Sequence, residues 1–381
     1  MRGSISRKGD RYYVVIEEER DPGTGKRRRT WHSGFATRDE AQQRLAVLVT
    51  SKYRGGYVEP SRLTFGDWLD EEWLPAARPT LKASTGALYE TLVTAYVKPR
   101  LGAVPLQKLR AADLNRFYGD LLANGRLHGK GGLSATSVRN IHRLIHRALR
   151  DAVRWDLIAR NPAEVSDPPR TKHSDAKAWT AAQVATFIAS TTDDEHATLW
   201  LLLATSGCRR GEALGLTWED VNFDARRITI RRSLSYAGRV AVLEEPKTAR
   251  SRRSVAIPAT TVTALKAHRS RQAETRLAVG PDYDPRGFVF AKPDGTPLTP
   301  ATATRRFKRL ASALNLPELS VHGLRHSYAT IALESGVPAK VTQEQLGHSS
   351  IATTLDLYSH AVPGLQEDAA ETVAALLFGA S

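Results

Sequence analysis

The first 58 residues pass from an alternating pattern of polar and apolar positions to a helical one. Strand-like runs at 11–16 and 26–31 flank a turn rich in Gly and Pro. Thr37 and Glu40 have the spacing of a capping box, in which each side chain bonds the other residue's backbone N–H, so a helix is predicted over 41–53. We expect a small N-terminal unit of β-sheet plus helix over residues 1–58.

Residues 62–162 carry apolar positions at helical spacing throughout. The predicted helices are 64–76, 83–97, 111–123 and 135–158. Val138, Ile141 and Ile145 begin an apolar stripe along the last of these helices. We expect an all-helical domain over 62–162, followed by a linker over 163–178 that contains two consecutive prolines.

The C-terminal half, 179–381, mixes helical and strand patterns. Helices are predicted at 180–189, 197–204, 259–276 and 300–314, and short strands at 227–232, 240–243 and 254–257. This pattern predicts a mainly helical domain with a small antiparallel sheet. The fold class expected for the whole chain is therefore multidomain α+β.

The charge balance changes what this fold is expected to bind. The chain has 381 residues, with 55 Lys and Arg against 40 Asp and Glu, a net charge of +15. Such an excess favours a polyanionic partner, although a protein that is merely basic and soluble has the same balance. The single cysteine excludes an intramolecular disulfide and a multi-cysteine zinc site. The sequence has no apolar run of membrane-spanning length and no signal peptide, so we expect a cytoplasmic protein with no membrane partner.

Two segments concentrate the basic residues. Lys26-Arg-Arg-Arg29 lies on a predicted strand, where it could either solvate a sheet edge or meet DNA. The helix 135–158 carries many arginines against only two aspartates, which favours a phosphate backbone over plain solvation. His142 and His146 on this helix have metal-ligand spacing but no third ligand nearby, so no metal is expected.

The stretch 320–360 holds the densest candidate chemistry. His322 and Arg325 stand three apart and would share one helical face. A guanidinium matches two phosphate oxygens, and an imidazole can relay a proton near neutral pH. His348 follows in a Leu-Gly-His box, and Tyr358 lies ten residues further on. This set describes a phosphate site with a possible nucleophile.

Two further motifs lie upstream of that stretch. The segment Thr205–Leu216 places Arg209 three residues before Glu212, just after a glycine that can end a helix. A basic turn at 246–258 contains Lys247.

Together these motifs resemble the tyrosine recombinase (phage integrase) family. The family pattern is an Arg in a Thr-Gly-x-Arg-x-x-Glu box, a hairpin Lys, His-x-x-Arg, Leu-Gly-His and a late Tyr. The matching positions are Arg209, Lys247, His322, Arg325, His348 and Tyr358. Order and approximate spacing agree for all six, and only Ser206 departs from the first box, where the family more often has Thr.

The resemblance implies a role for each residue. Tyr358 would attack phosphorus, while Arg209 and Arg325 would hold the non-bridging oxygens. Lys247 would protonate the leaving 5′-oxygen. The remaining members, His322 and His348, would assist proton transfer and hydrogen-bond a phosphoryl oxygen respectively. Neither a cofactor nor a metal is implied.

Some assignments have rivals in the sequence. Arg250, Arg252 and Arg253 compete with Lys247, whose Pro-Lys-Thr context favours it. Tyr328 competes with Tyr358, but it stands where the family usually has a packing aromatic.

The implied function is that of a site-specific DNA recombinase that integrates or excises a phage or other mobile element. Its expected partners are duplex attachment sites, further copies of itself in a tetramer, and an excisionase or a host DNA-bending protein. The 1–58 unit would be an arm-type DNA-binding domain. The alternatives are a non-catalytic DNA-binding protein and a type IB topoisomerase. The apolar tail 367–378 could pack on its own core or dock on a neighbouring protomer.

Overall fold

The structure is a computed structural model. It describes residues 3–20, 27–53, 58–171, 177–238, 240–244, 252–348, 350–351, 374–375 and 377–379. The chain forms two compact units, one of residues 1–82 and 88–172 and the other of residues 83–87 and 173–381. None of the helices in the described part of the chain is both long enough and apolar enough to span a bilayer.

The first unit begins with a three-stranded antiparallel sheet and a helix. Its elements are β1 (Gly3–Lys8), β2 (Arg11–Arg20), β3 (Arg27–Phe35) and α1 (Arg38–Tyr53), with sheet order β1-β2-β3. Val14 and Ile16 of the central strand are buried against α1. The capping box is present, since the Glu40 N–H donates to Thr37 Oγ1 at 3.3 Å. The sequence pattern missed β1 because Ile5 is its only large apolar residue.

Helices form the rest of the first unit. They are α2 (Phe65–Asp67), α3 (Leu74–Ala77), α4 (Ala83–Leu92), α5 (Lys98–Leu101), α6 (Ala111–Asn124) and α7 (Ala135–Arg154), of which α4 has its first five residues in the second unit. Wider π-helical turns over 68–73 and 93–97 join α2 to α3 and α4 to α5. The predicted end of the last helix at residue 158 was wrong, because the backbone leaves helical geometry at Trp155 and Asp156 has a φ of +57°.

The second unit surrounds one large apolar core with helices. They are α8 (Ala181–Ser190), α9 (Ala197–Ser206), α10 (Arg210–Leu214), α11 (Ala259–Val279), α12 (Pro300–Ala313), α13 (Val321–Glu334) and α14 (Ala339–Leu346). The rings of Trp179, Phe187, Trp200 and Phe307 pack together in the core with centroids 5.1–6.4 Å apart. Phe187, Trp200 and Phe307 lie on α8, α9 and α12, three of the helices that the apolar pattern predicted.

Two small antiparallel sheets complete the second unit. The strands are β4 (Val221–Asn222), β5 (Arg227–Ile230), β6 (Ser233–Ala237), β7 (Val240–Glu244) and β8 (Arg253–Ala256). They pair in the orders β4-β5-β8 and β6-β7. The multidomain α+β fold class is thus confirmed, although β6 and α14 were not predicted.

Candidate active site

The first site residue is positioned by a tight helix end. Helix α9 stops at Gly207, whose φ is +64°. A Cβ at this position would lie 2.7 Å from the ring of Tyr328 and 2.5 Å from Leu346, so only glycine fits. The chain then turns directly into α10, with Arg209 as its N-cap.

Glu212 fixes Arg209 from the next helical turn. Its carboxylate accepts the Arg209 backbone N–H at 2.9 Å and Arg209 Nη1 at 2.7 Å. The other terminal nitrogen, Nη2, donates to the Gly347 carbonyl at 3.3 Å. The Arg209 side chain remains 41% exposed, so an anion from solvent can reach it.

Arg325 approaches the same point from α13. It is only 3% exposed, and its Nη1 donates to the Gly207 carbonyl at 2.8 Å. Its Nη2 is buried and has no hydrogen-bond acceptor among the described residues. Burial, with the nearby charge of Arg209, lowers its pKa to about 9. A buried guanidinium with an unused donor is arranged to receive an anion.

The two predicted histidines border this cationic centre. Burial, followed by the charges of Arg325 and Arg209, lowers the pKa of His348 to about 4. The pKa of His322 is also lowered, by partial burial and by the neighbouring His326 and Arg325. The rings of His322 and His326 meet edge to face, with centroids 4.9 Å apart. Both predicted site histidines are therefore neutral at pH 7, able to donate one hydrogen bond and accept another.

The structure therefore brings together four of the six predicted residues: Arg209, His322, Arg325 and His348. The other two, Lys247 and Tyr358, lie outside the described residues. The rival Tyr328 packs its ring over Gly207, and burial raises its pKa, which is the opposite of what a nucleophile needs.

One site residue was considered only as a rival to Lys247. Arg253 is just 8% exposed and forms a two-pronged ion pair with Glu212, through Nη1 at 3.1 Å and Nη2 at 2.8 Å. A signal for it existed in the sequence, since Arg253 alternates with the inward-facing Val255 and Ile257.

The first unit carries a basic surface of its own. A groove of about 370 Å³ on α7 is lined by Arg139, His142, Arg143, His146, Arg147 and Arg150, together with Pro168. The ring of His142 is engaged by the Tyr118 hydroxyl at 2.9 Å rather than held for a metal. Across the described residues, no group of three or more His, Cys, Asp or Glu is placed to hold a metal ion.

The N-terminal sheet presents a second basic surface. The ring of Trp31 is 48% exposed, and it lies edge to face against Tyr13 with centroids 6.1 Å apart. Lys8 reaches over the Trp31 ring at 5.6 Å. Aromatic and cationic groups are thus displayed side by side on the face of the sheet.

Comparison with known proteins identifies this constellation. Residues 178–363 match the model of the phage integrase family, residues 4–50 match an arm DNA-binding domain, and residues 64–122 match the N-terminal SAM-like domain of phage integrases. An integrase of Streptomyces ambofaciens is 30% identical, over 84% of this chain and 82% of its own length. The chain belongs to the phage integrase family.

Further relatives of this integrase agree with the assignment. A XerC-like tyrosine recombinase of Caldanaerobacter subterraneus subsp. tengcongensis is 26% identical over 96% of both chains. Among solved structures, the Tn1549 transposon integrase in complex with a circular intermediate DNA superposes with a TM-score of 0.68. That match has 24% identity and covers 82% of this chain and all of that one. The predicted family and fold are confirmed, and the protein is a site-specific tyrosine recombinase of the integrase type.

Proposed function

We propose that the integrase cuts and rejoins duplex DNA through a covalent 3′-phosphotyrosine at Tyr358, using Arg209, Lys247, His322, Arg325 and His348. The observation that carries this proposal is the convergence of two guanidinium groups and two neutral imidazoles in the second unit. The unused Nη2 of Arg325 supports it further, because a scissile phosphate would supply the missing acceptor.

The cleavage step follows from the charges. The Tyr358 hydroxyl attacks phosphorus, and its oxygen forms the new P–O bond while the bond to the 5′-oxygen breaks. Arg209 and Arg325 hold the non-bridging oxygens, on which negative charge builds up in the transition state. The preformed cation at Arg325 needs no rearrangement during the reaction, since Gly207 already fixes it.

Proton transfer completes the step. Lys247 donates a proton to the leaving 5′-oxygen, and His322 assists removal of the tyrosine proton. A neutral His348 donates a hydrogen bond to a phosphoryl oxygen. The phosphotyrosyl bond keeps the energy of the phosphodiester, so a 5′-hydroxyl from a second duplex reverses the attack and exchanges strands without ATP.

The proposed division of labour along the chain has four parts. Residues 1–58 bind arm-type DNA sites, 62–162 form the core-binding domain, 163–178 form a linker, and 179–381 form the catalytic domain. The exposed Trp31 with Lys8 and the arginine-lined groove on α7 support DNA contact by the first two.

The proposed substrates are the attachment sites of a phage or other mobile element, recombined in the cytoplasm by a tetramer on DNA. A lambda integrase tetramer bound to a Holliday junction, with a TM-score of 0.56 and 18% identity, supports the assembly by its fold. An excisionase or a host DNA-bending protein completes the proposed set of partners.

A covalent-capture experiment tests the chemistry. The purified protein is incubated with a library of nicked duplexes with randomised cores, and adducts that survive denaturation are sequenced. We expect one core sequence to be enriched and Tyr358→Phe to capture none. Adducts formed by the Phe variant would disprove the assignment of Tyr358 as nucleophile. If the protein enriched no core sequence but relaxed a supercoiled plasmid, a topoisomerase would be favoured.

A further inference from the structure

Arg253 connects three elements around the site. Its guanidinium, on β8, donates through Nη1 and Nη2 to Glu212 of α10, and its Nε donates to the Gln345 carbonyl of α14 at 3.0 Å. The Gln345 side chain returns a hydrogen bond to the Ala256 carbonyl of β8 at 2.9 Å. Three of the five N–H donors of Arg253 are therefore used inside the protein, and its side chain is only 8% exposed, so Arg253 is held by the protein rather than presented to DNA.

The Glu212 carboxylate is shared between two arginines. Oε1 accepts from Nη1 of both Arg253 and Arg209, while Oε2 accepts from Arg253 Nη2 and the Arg209 backbone N–H. Burial alone would raise the pKa of Glu212, but the hydrogen bonds and charges of Arg253 and Arg209 lower it to about 2. One negative charge is thus divided between two positive ones.

Sharing changes the charge that Arg209 can offer. Arg253 supplies the fork that matches the carboxylate in both oxygens, whereas Arg209 uses only one guanidinium nitrogen for it. If Arg253 were absent, the buried carboxylate would have Arg209 as its remaining cationic partner among these contacts. The guanidinium of Arg209 would then be drawn toward Glu212 and its charge largely neutralised.

We propose that Arg253 is a positioning residue for Arg209: by taking a share of Glu212, it keeps the Arg209 guanidinium turned toward the scissile phosphate with its charge available. The inference rests on the proposed function, because it takes Arg209 as a phosphate ligand. Arg253 also packs directly against Gly347, where an added Cβ would lie 2.9 Å from Arg253 Cδ.

The test compares variants on two substrates. The enriched core duplex is prepared with a normal scissile phosphate and with a methylphosphonate there, which lacks the negative charge. Single-turnover adduct formation and duplex affinity are measured for wild type, Arg253→Met, Arg253→Lys, Glu212→Gln and the double variant Arg253→Met/Glu212→Gln. Arg227→Met is the matched control, since Arg227 lies on the adjacent strand β5 and bonds Ser254 instead of a carboxylate.

We expect Arg253→Met to slow cleavage of the normal phosphate by about 10- to 100-fold, as is common for residues that orient a ligand-binding group. The affinity for duplex should stay within about twofold of wild type. On the methylphosphonate the defect should largely vanish, because there is no charge for Arg209 to neutralise. Arg253→Lys should restore only part of the rate, since an ammonium cannot form the fork. Arg227→Met should cleave like wild type.

The double variant gives an internal check. Glu212→Gln should slow the wild type but speed up Arg253→Met, because it removes the carboxylate that neutralises Arg209. If Arg253→Met alone does not fold, the double variant, which removes the charge of both partners, is compared with Glu212→Gln, and their rates should agree within about twofold.

Three outcomes would overturn the inference: an equal defect on both substrates, a Glu212→Gln effect of the same sign in both backgrounds, or a double variant at least tenfold slower than Glu212→Gln. Failure of wild type to form any adduct would instead refute the proposed function, so the two failures are distinguishable.

Discussion

Arg325 is expected to reduce the stability of the integrase as the cost of having an anion site ready. The side chain is 3% exposed, with one hydrogen bond to the Gly207 carbonyl and a buried Nη2 that lacks an acceptor among the described residues. Replacing it by Met, which is of similar length and uncharged, should therefore make the free protein more stable while abolishing adduct formation.

The magnitude follows from the pKa. Burial and the charge of Arg209 lower the pKa of Arg325 from an ordinary 12.5 to about 9. At 1.36 kcal/mol for each pH unit, holding the cation at pH 7 costs on the order of 5 kcal/mol. The variant leaves the Gly207 carbonyl without its donor, which takes back about 1–3 kcal/mol. A net gain of about 2–4 kcal/mol in the free energy of unfolding of the second unit is expected.

The assay must report on the second unit alone, because a chain of two units need not unfold in one step. Pulsed hydrogen exchange along a urea series, read by mass spectrometry on peptides from α9, meets this need. Arg306→Met is the matched control with the opposite expected sign. Arg306 Nε pairs with the buried Asp194 at 2.6 Å, so its loss should cost on the order of 3 kcal/mol.

The reasoning would be refuted if Arg325→Met lowered the urea midpoint as Arg306→Met does. A second comparison uses inorganic sulfate as an anion probe. Sulfate should raise the midpoint of wild type and raise that of Arg325→Met much less, since the variant lacks the preformed cation. Equal stabilisation of both proteins would also contradict the argument.

Two further predictions concern the Leu-Gly-His box. Nitrogen-15 NMR of the free protein should find His348 neutral at pH 5.5, because its pKa is about 4, and duplex DNA should raise that pKa by offsetting the charges of Arg325 and Arg209. The His348 signal is assigned by its loss in His348→Gln. Titration of His348 near pH 6.5 in the free protein would contradict the prediction. Because the folded pKa lies below the unfolded value, the contribution of His348 to stability is present above pH 6.5 and falls as pH drops toward 4. Gly347→Ala should lower both stability and adduct formation, since φ is +67° there and a Cβ would meet Arg253, so wild-type behaviour in urea and cleavage assays would exclude that clash.

The sequence predicted most of what depends on local patterns. The helices over 41–53, 111–123 and 300–314 appear within a few residues of the predicted bounds, because caps and apolar stripes specify them locally. The strand β1 and the helix α14 were missed, since each has few large apolar residues and is stabilised by its neighbours. A pattern within one segment carries no record of such tertiary contacts.

The candidate site divides in the same way. Arg209, His322, Arg325 and His348 were predicted from motifs, and the structure brings them together. The motifs could not show which group each arginine binds inside the protein, and that partner decides whether the arginine can hold a phosphate. Arg253 and Arg325 are both buried, yet one is paired with Glu212 and the other with a backbone carbonyl. Only contacts between residues distant in the sequence distinguish them, 41 positions apart for Arg253 and Glu212 and 118 for Arg325 and Gly207.

The use of backbone carbonyls as anchors has a consequence for how this centre can change over time. The oxygens of Gly207 and Gly347 that orient Arg325 and Arg209 are present whatever side chains surround them, and they carry no full charge. Substitutions nearby can therefore alter packing without discharging the guanidinium groups. Among these contacts, Glu212 is the acid that sets how much positive charge the site presents. Family members that differ in the balance between DNA cleavage and DNA binding are therefore expected to differ at Glu212 or at Arg253, which shares its carboxylate.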